Sequence, residues 1–149
     1  MIEQEKLIVI CPRATFEENS QWPTMLINNT DWRALAEQLR NNSEFNFDYL
    51  FCVTALDAKT HLTMIYHLES TTSRNILVVK AKIENRMNAE IPTVCDLWRT
   101  AEFHEREAFD LMGVKFLNHP DLRRLFLTDD WVGFPLRKDY DDPINMIKL

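Results

Sequence analysis

The sequence predicts an α+β fold: two layers, a mostly antiparallel sheet packed with helices, and an irregular C-terminal tail. Three observations predict it. The strand-like runs "DYLFCVTAL", "HLTMIYHLES" and "ILVVKAKIE" are joined only by the short polar links "DAKT" and "TTSRN", so adjacent antiparallel strands are the simplest wiring. One helical period precedes this block and a longer one follows it. The stretch "DDWVGFPLRKDYDDP" (129–143) carries neither period. With 149 residues the protein is long enough for one domain with a sizeable core. The expected division is an α+β domain over 1–128 and an extended docking segment over 129–149.

Taken in order, "KLIVIC" reads as a first strand and "TMLINN" as a short second one. "NTDWRALAEQLRNN" reads as a helix, with Asn29 or Thr30 as N-cap and Asn41 and Asn42 at its end. Its Trp32, Leu35, Ala36 and Leu39 follow the i, i+3, i+4, i+7 rule. "DYLFCVTAL" is apolar on both faces, as suits a central strand. In "ILVVKAKIE", Leu77, Val79, Ala81 and Ile83 share one face and Lys80 and Lys82 the other. "TVCDLWRTAEFHEREAFDLMG" is the strongest helical signal. Pro92 precedes it, Thr93 with Asp96 resembles a capping box, and Gly113 stands at the C′ position. Val94, Leu97, Trp98, Ala101, Ala108 and Met112 form its core stripe. His104 and Glu105 lie close to that stripe, while Phe103, Arg106 and Asp110 fall on the back.

Composition narrows function. The net charge is -6 with no basic stripe, so nucleic acid is not an expected partner. No apolar run is long enough to span a bilayer. The acidic "MIEQEK" start is no secretion signal, so a cytosolic protein without direct membrane insertion is expected. The only glycines are Gly113 and Gly133, too few for a GxGxxG turn or a P-loop. Cys11, Cys52 and Cys95 are far apart. They cannot complete a four-Cys iron–sulfur site by themselves or form a CxxC pair, and are expected as free thiols. No cofactor is expected.

Within "HERE" (104–107), position 108 is Ala, so the HExxH zinc pattern fails and no metal is expected. Glu102–Arg106 and Arg106–Asp110 have ion-pair spacing. Glu105, on the core stripe, needs a charge partner. Arg123 and Arg124 are the nearest supply, so Glu105 is expected to clamp "HPDLRR" onto the helix. In the tail, Trp131, Phe134 and Tyr140 alternate with Arg137, Lys138 and Asp139, the residue types that carry interface energy. Gly133 and Pro135 set an irregular path. Trp131 and Phe134 are expected to fasten the tail to its own domain, and Arg137 to Pro143 to meet a partner.

The stretch from His104 to Tyr140 resembles the signature region of one family of hydrophilic proteins of NADH:quinone oxidoreductase, respiratory complex I: its C component. Three ordered motifs carry the likeness: Glu105, Arg106, Glu107 and Asp110; then His119, Pro120, Leu122, Arg123 and Arg124; then Asp130, Trp131, Gly133, Pro135, Leu136, Arg137, Lys138, Asp139 and Tyr140. Asn118 departs from the glycine usual there, which bears on the local turn. Nine residues follow Tyr140, so no long C-terminal extension is expected.

The resemblance implies a two-layer α+β subunit with no flavin, cluster, nucleotide or catalytic residue of its own. It implies a place in the peripheral arm of a proton- or sodium-pumping complex, on the cytoplasmic side of the inner membrane. There it would pack against the D component, which helps form the quinone chamber, and near the B component. In some members the C component continues into the D component just after the PLRKDY segment. The implied partner surface is Phe103, Asp130, Trp131, Pro135, Arg137, Lys138, Asp139 and Tyr140. The implied internal frame is Glu105, Arg106, Glu107, Asp110, His119, Pro120, Arg123 and Arg124. Two alternatives stand beside this reading. One is the equivalent subunit of a ferredoxin-linked complex or a membrane-bound, energy-conserving hydrogenase. The other is a small metal- or carboxylate-dependent hydrolase using His104, Glu105 and His119.

Overall fold

Residues 2–147 are described by a computed structural model; Met1 and the last two residues of the expected 129–149 tail lie outside them. The elements in order are α1 (Gln4–Ile10), β1 (Thr15–Phe16), β2 (Thr24–Asn28), a 3-10 turn over Asn29–Asp31, α2 (Trp32–Asn41), β3 (Tyr49–Asp57), β4 (Leu62–Glu69), β5 (Ile76–Ile83), β6 (Glu90–Pro92), α3 (Ala101–Met112) and β7 (Lys115–Leu117). The main sheet has the order β1-β2-β5-β4-β3. Its β3–β4–β5 block is antiparallel, as the short links predict. β2 instead runs parallel to β5. β6 and β7 form a separate parallel pair.

Alternation explains the sheet. In β4, Leu62, Met64, Tyr66 and Leu68 point into the core. They stand opposite Ile83, Ala81, Val79 and Leu77 of β5, in that order. Every inward residue of one strand thus meets an inward residue of the next. α2 covers this face with Trp32, Leu35, Ala36 and Leu39, and Trp32 stacks on Tyr66 with ring centroids 4.2 Å apart. Each fully buried large side chain of this layer contributes roughly 1.5–3 kcal/mol.

Three local expectations fail. "KLIVIC" belongs to helix α1 rather than to a strand. A short apolar run does not specify its own period. Here Leu7, Ile10 and Cys11 pack inward at helical spacing, while Ile8 and Val9 are exposed. Neither Asn29 nor Thr30 caps α2; the Asn29 amide donates to the Glu90 carbonyl at 2.8 Å. α3 begins at Ala101, not at Thr93. Thr93 and Asp96 form no capping box: the Thr93 hydroxyl turns to Glu105, and Asp96 takes both Arg33 amino groups at 2.7 Å. The other end of α3 is as expected, with Gly113 at φ 72 in the left-handed region. Asn118 also has a left-handed φ of 65, a conformation asparagine tolerates better than most residues, so the turn accommodates it.

Candidate functional site

The densest polar network fastens residues 123–139 onto α3 and the strand ends. Asp110 is its hub. The side chain is fully buried, and one oxygen accepts the backbone N–H groups of Leu125, Phe126 and Leu127 at 3.1, 2.7 and 3.1 Å. The other accepts from Arg124 at 2.9 Å. Burial alone would push this carboxyl up. The donors, from Phe126, Arg124, Leu127 and Leu125, outweigh it and hold it below the usual carboxylate range. The second amino group of Arg124 donates to the carbonyls of Trp131 and Gly133, both at 3.0 Å. One turn earlier on α3, Arg106 donates to the carbonyls of Arg123 and Arg124.

Phe134 is the apolar anchor of the tail. Arg124 and Arg137 lie over its ring at 5.2 and 5.4 Å, a cation–π arrangement, and Phe109 packs beside it. The Phe134 ring sits where a side chain at position 113 would be: a Cβ on Gly113 would meet it at 2.6 Å. Gly133 performs the same service for Tyr140, whose ring a Cβ there would meet at 3.0 Å, and its φ is 91. Both glycines of the protein therefore serve the seating of the tail.

A second ionic corner closes the far side. Arg86 forms a two-point contact with Asp57 at 3.2 and 2.5 Å, and a second with Asp139 at 3.0 Å twice. The N–H of Lys138 donates to Asp57 at 2.8 Å. Arg86 is the first cause that holds Asp57 far below the ordinary range. Arg137 donates to the Met112 carbonyl at 2.6 Å and the Arg86 carbonyl at 3.0 Å. Asp57 and Arg86 are site residues that sequence reasoning missed. Their partners lie 29 to 81 positions away, and no local pattern encodes such pairings.

The expected frame is thus redistributed. Glu105 pairs with neither Arg123 nor Arg124; Asp110 holds Arg124. Five residues at about 100° each put the two acids about 140° apart around the helix, facing different neighbours. Arg106 and Asp110, expected on an open back face, are buried because residues 123–127 lie over them. Arg106 pairs with neither Glu102 nor Asp110 among the described residues; it reaches carbonyls, and its guanidinium lies over the Phe103 ring. Arg123 makes an exposed pair with Asp121. Glu107, Pro120, Asp130 and Lys138 are exposed, Trp131, Pro135 and Tyr140 half-buried. The Tyr140 hydroxyl donates to Asp142. Of the residues expected to meet a partner, Arg137 and Asp139 commit their charged groups to their own fold.

Glu105 has another setting. Its carboxyl is fully buried and accepts from the Thr93 hydroxyl at 2.5 Å and the Val94 N–H at 2.9 Å. His119, its side chain also fully buried, lies 3.7 Å away. The donor atoms of Cys95, Glu105 and His119 fall within 4.8 Å of one another, and His104 is not among them. The hydrogen bonds oppose a cation there. His119 Nδ1 accepts the Asp121 N–H at 3.0 Å, which leaves the proton on Nε2, donated to the Glu102 carbonyl at 3.0 Å. A metal-binding imidazole has the reverse arrangement, with its outer nitrogen donating.

Fold and network define an α+β module whose polar side chains are organised to seat and present its own C-terminal segment. Residues 25–144 match the family described as the respiratory-chain NADH dehydrogenase, 30 Kd subunit, and the protein belongs to that family. It is 46% identical over 114 residues to the C/D polypeptide of the NADH-quinone oxidoreductase of Phocaeicola vulgatus, a match covering 76% of this sequence but 22% of that one. It is 38% identical over 138 residues to the C polypeptide of the NADH-quinone oxidoreductase of Moorella thermoacetica, covering 91% of each. It thus spans less than a quarter of the C/D relative and nine-tenths of the second. A component of the membrane-bound sulfane sulfur reductase, an archaeal respiratory membrane complex, shares the fold: TM-score 0.73 at 24% identity over 93% of this protein and 83% of that one. No helix among the described residues is long and apolar enough to cross a membrane.

Proposed function

We propose that the protein is a non-catalytic assembly subunit of the peripheral arm of an ion-pumping NADH:quinone oxidoreductase. It packs against the D component, which helps form the quinone chamber, and near the B component, on the cytoplasmic side of the membrane, and holds no redox centre. Residues 129–149 are its docking segment. One observation supports this reading above the others. The inner side of the segment is fastened by Asp110, Arg124, Phe134 and Arg137, while it carries exposed apolar groups, Val132 at 87% and Leu136 at 60% exposure, and Phe126 just before it is 66% exposed. Phe103 of α3 is also over half exposed. Fixing a segment in advance removes the ordering cost from association. The partner surface is accordingly assigned to Phe103, Phe126, Val132, Leu136 and Lys138, with Asp130 and Trp131 beside them. Arg137 acts from beneath, and Asp139 holds Arg86 from the exposed side.

The test is affinity purification of the tagged full-length protein from native membranes, with a Val132→Asp/Leu136→Asp variant beside it. Recovery of the B and D components with flavin-containing partners is expected for the wild type. The variant should keep the wild-type melting temperature and lose those partners. A nickel subunit in their place would move the assignment to a hydrogenase, and full recovery by the variant would remove the tail from the interface.

A further inference from the structure

Glu105 is a buried carboxylate without a lysine or arginine partner among the described residues. Its neighbours come from four directions. Thr93, Val94, Cys95 and Asp96 belong to the connection between β6 and α3. His119 comes from the loop after β7. Tyr66, its hydroxyl buried in the core, comes from β4. The Glu102 carbonyl lies on α3 itself and holds the His119 ring. The one neighbour able to become cationic is His119. A second proton there would have to sit on Nδ1, which the Asp121 N–H occupies. The imidazole therefore cannot neutralise Glu105 while the 118–121 loop keeps its present seat. Arg33 and Arg99 line, with Thr93, Cys95, Glu102 and Pro120, a cavity of about 830 Å³ that gives water and protons a route to the cluster; Arg33 is taken by Asp96 and the Thr93 carbonyl.

We propose that Glu105, His119 and the Asp121 N–H form a proton-operated latch that seats the 118–121 loop on α3 and on the β6–α3 connection. With a proton on Glu105 the cluster is neutral and every hydrogen bond of the loop is kept. When that proton leaves through the cavity, a bare carboxylate remains buried beside Asp96. Water entering from the cavity relieves it, and that opens the loop. Burial, opposed by the Thr93 and Val94 donors and aided by Asp96, pushes the Glu105 carboxyl up to about 7, so the latch works across the neutral range. The direction is fixed by linkage. An acid whose folded value is raised adds stability at low pH and loses it as pH rises through that value.

Hydrogen exchange of the full-length protein, corrected for intrinsic rates, tests this directly. Between pH 5.5 and 8.5, protection of peptides covering Thr93–Cys95 and Asn118–Arg123 should fall by roughly tenfold or more, while β4 and β5 hold theirs. In Glu105→Gln, which keeps the shape and removes the charge, protection of the same peptides should not change with pH. Constant protection in the wild type, or an equal fall in the variant, would overturn the latch. Infrared titration of the wild type stands even where the variant folds poorly. A protonated-carboxyl band disappearing with a midpoint between 6 and 8 is expected, and no such band at pH 5.5 and above would refute the idea.

Discussion

Helix α3 buries two carboxylates five residues apart, and the two faces treat them in opposite ways. Asp110 is surrounded by three backbone N–H groups and Arg124, and stays ionised well below the ordinary range. Glu105 is as deeply buried but has two hydrogen-bond donors and no cation, and its carboxyl rises to about 7. Burial penalises both charges; the number and kind of donors decides which charge survives. The two acids therefore shift stability in opposite directions with pH. Glu105 adds stability below its unfolded value near 4.5 and loses it as pH rises through its folded one near 7. Asp110 adds stability above its unfolded value near 3.8 and loses it as pH falls through its lower folded one. One face is a permanent clamp, the other adjustable.

The largest break in this comparison is Asp110→Ala. It strands the Arg124 guanidinium and three N–H groups in a buried site. The expected cost is roughly 3–5 kcal/mol, read by denaturant unfolding, with early proteolysis after Arg123 or Arg124. A loss under about 1 kcal/mol, the scale of an exposed pair, would mean that the tail is seated without its hub. Next comes Gly113→Ala, which acts on the clamp without touching a charge. The left-handed φ of 72 and the Phe134 ring at 2.6 Å both oppose a Cβ. The expected loss is roughly 1–3 kcal/mol, with the change in amide exchange concentrated in residues 131–140. Uniform loosening across β3–β5 would instead point to a helix-end effect.

Legibility follows the same division. The sheet was readable because strand alternation is local: Leu77, Val79, Ala81 and Ile83 declare their face within eight residues. The resemblance carried by the three motifs identified the family, and helical geometry singled out Glu105 as a core acid. Its partners are Thr93 and Val94 rather than Arg123 or Arg124, because facing depends on angle around the helix and not on proximity in sequence. Asp110 looked solvent-facing because a helix wheel sees one covering layer, and residues 123–136 supply a second. Asp57 and Arg86 gave no sign, since their contacts with the tail span more than fifty positions. One available signal was the glycine count. Of the two glycines in the whole sequence, one ends α3 and one lies inside the tail. They mark the two places where rings must pass close to backbone.

The smallest expected effect lies within the second ionic corner. Arg86 serves two aspartates with similar two-point geometry, yet Asp57 is 2% exposed at its side chain and Asp139 65%. Solvent screens the outer pair, and exposed pairs contribute little to stability. Asp139→Asn should therefore leave the melting temperature unchanged within error, at low salt and at high. Asp57→Asn removes the charge that Arg86 and the Lys138 N–H both address in a nearly dry site, and should destabilise by an amount comparable to Asp110→Ala. Equal effects at 57 and 139 would show that geometry, not exposure, sets the strength of this corner. The rule drawn from Glu105 and Asp110 would then not extend beyond α3.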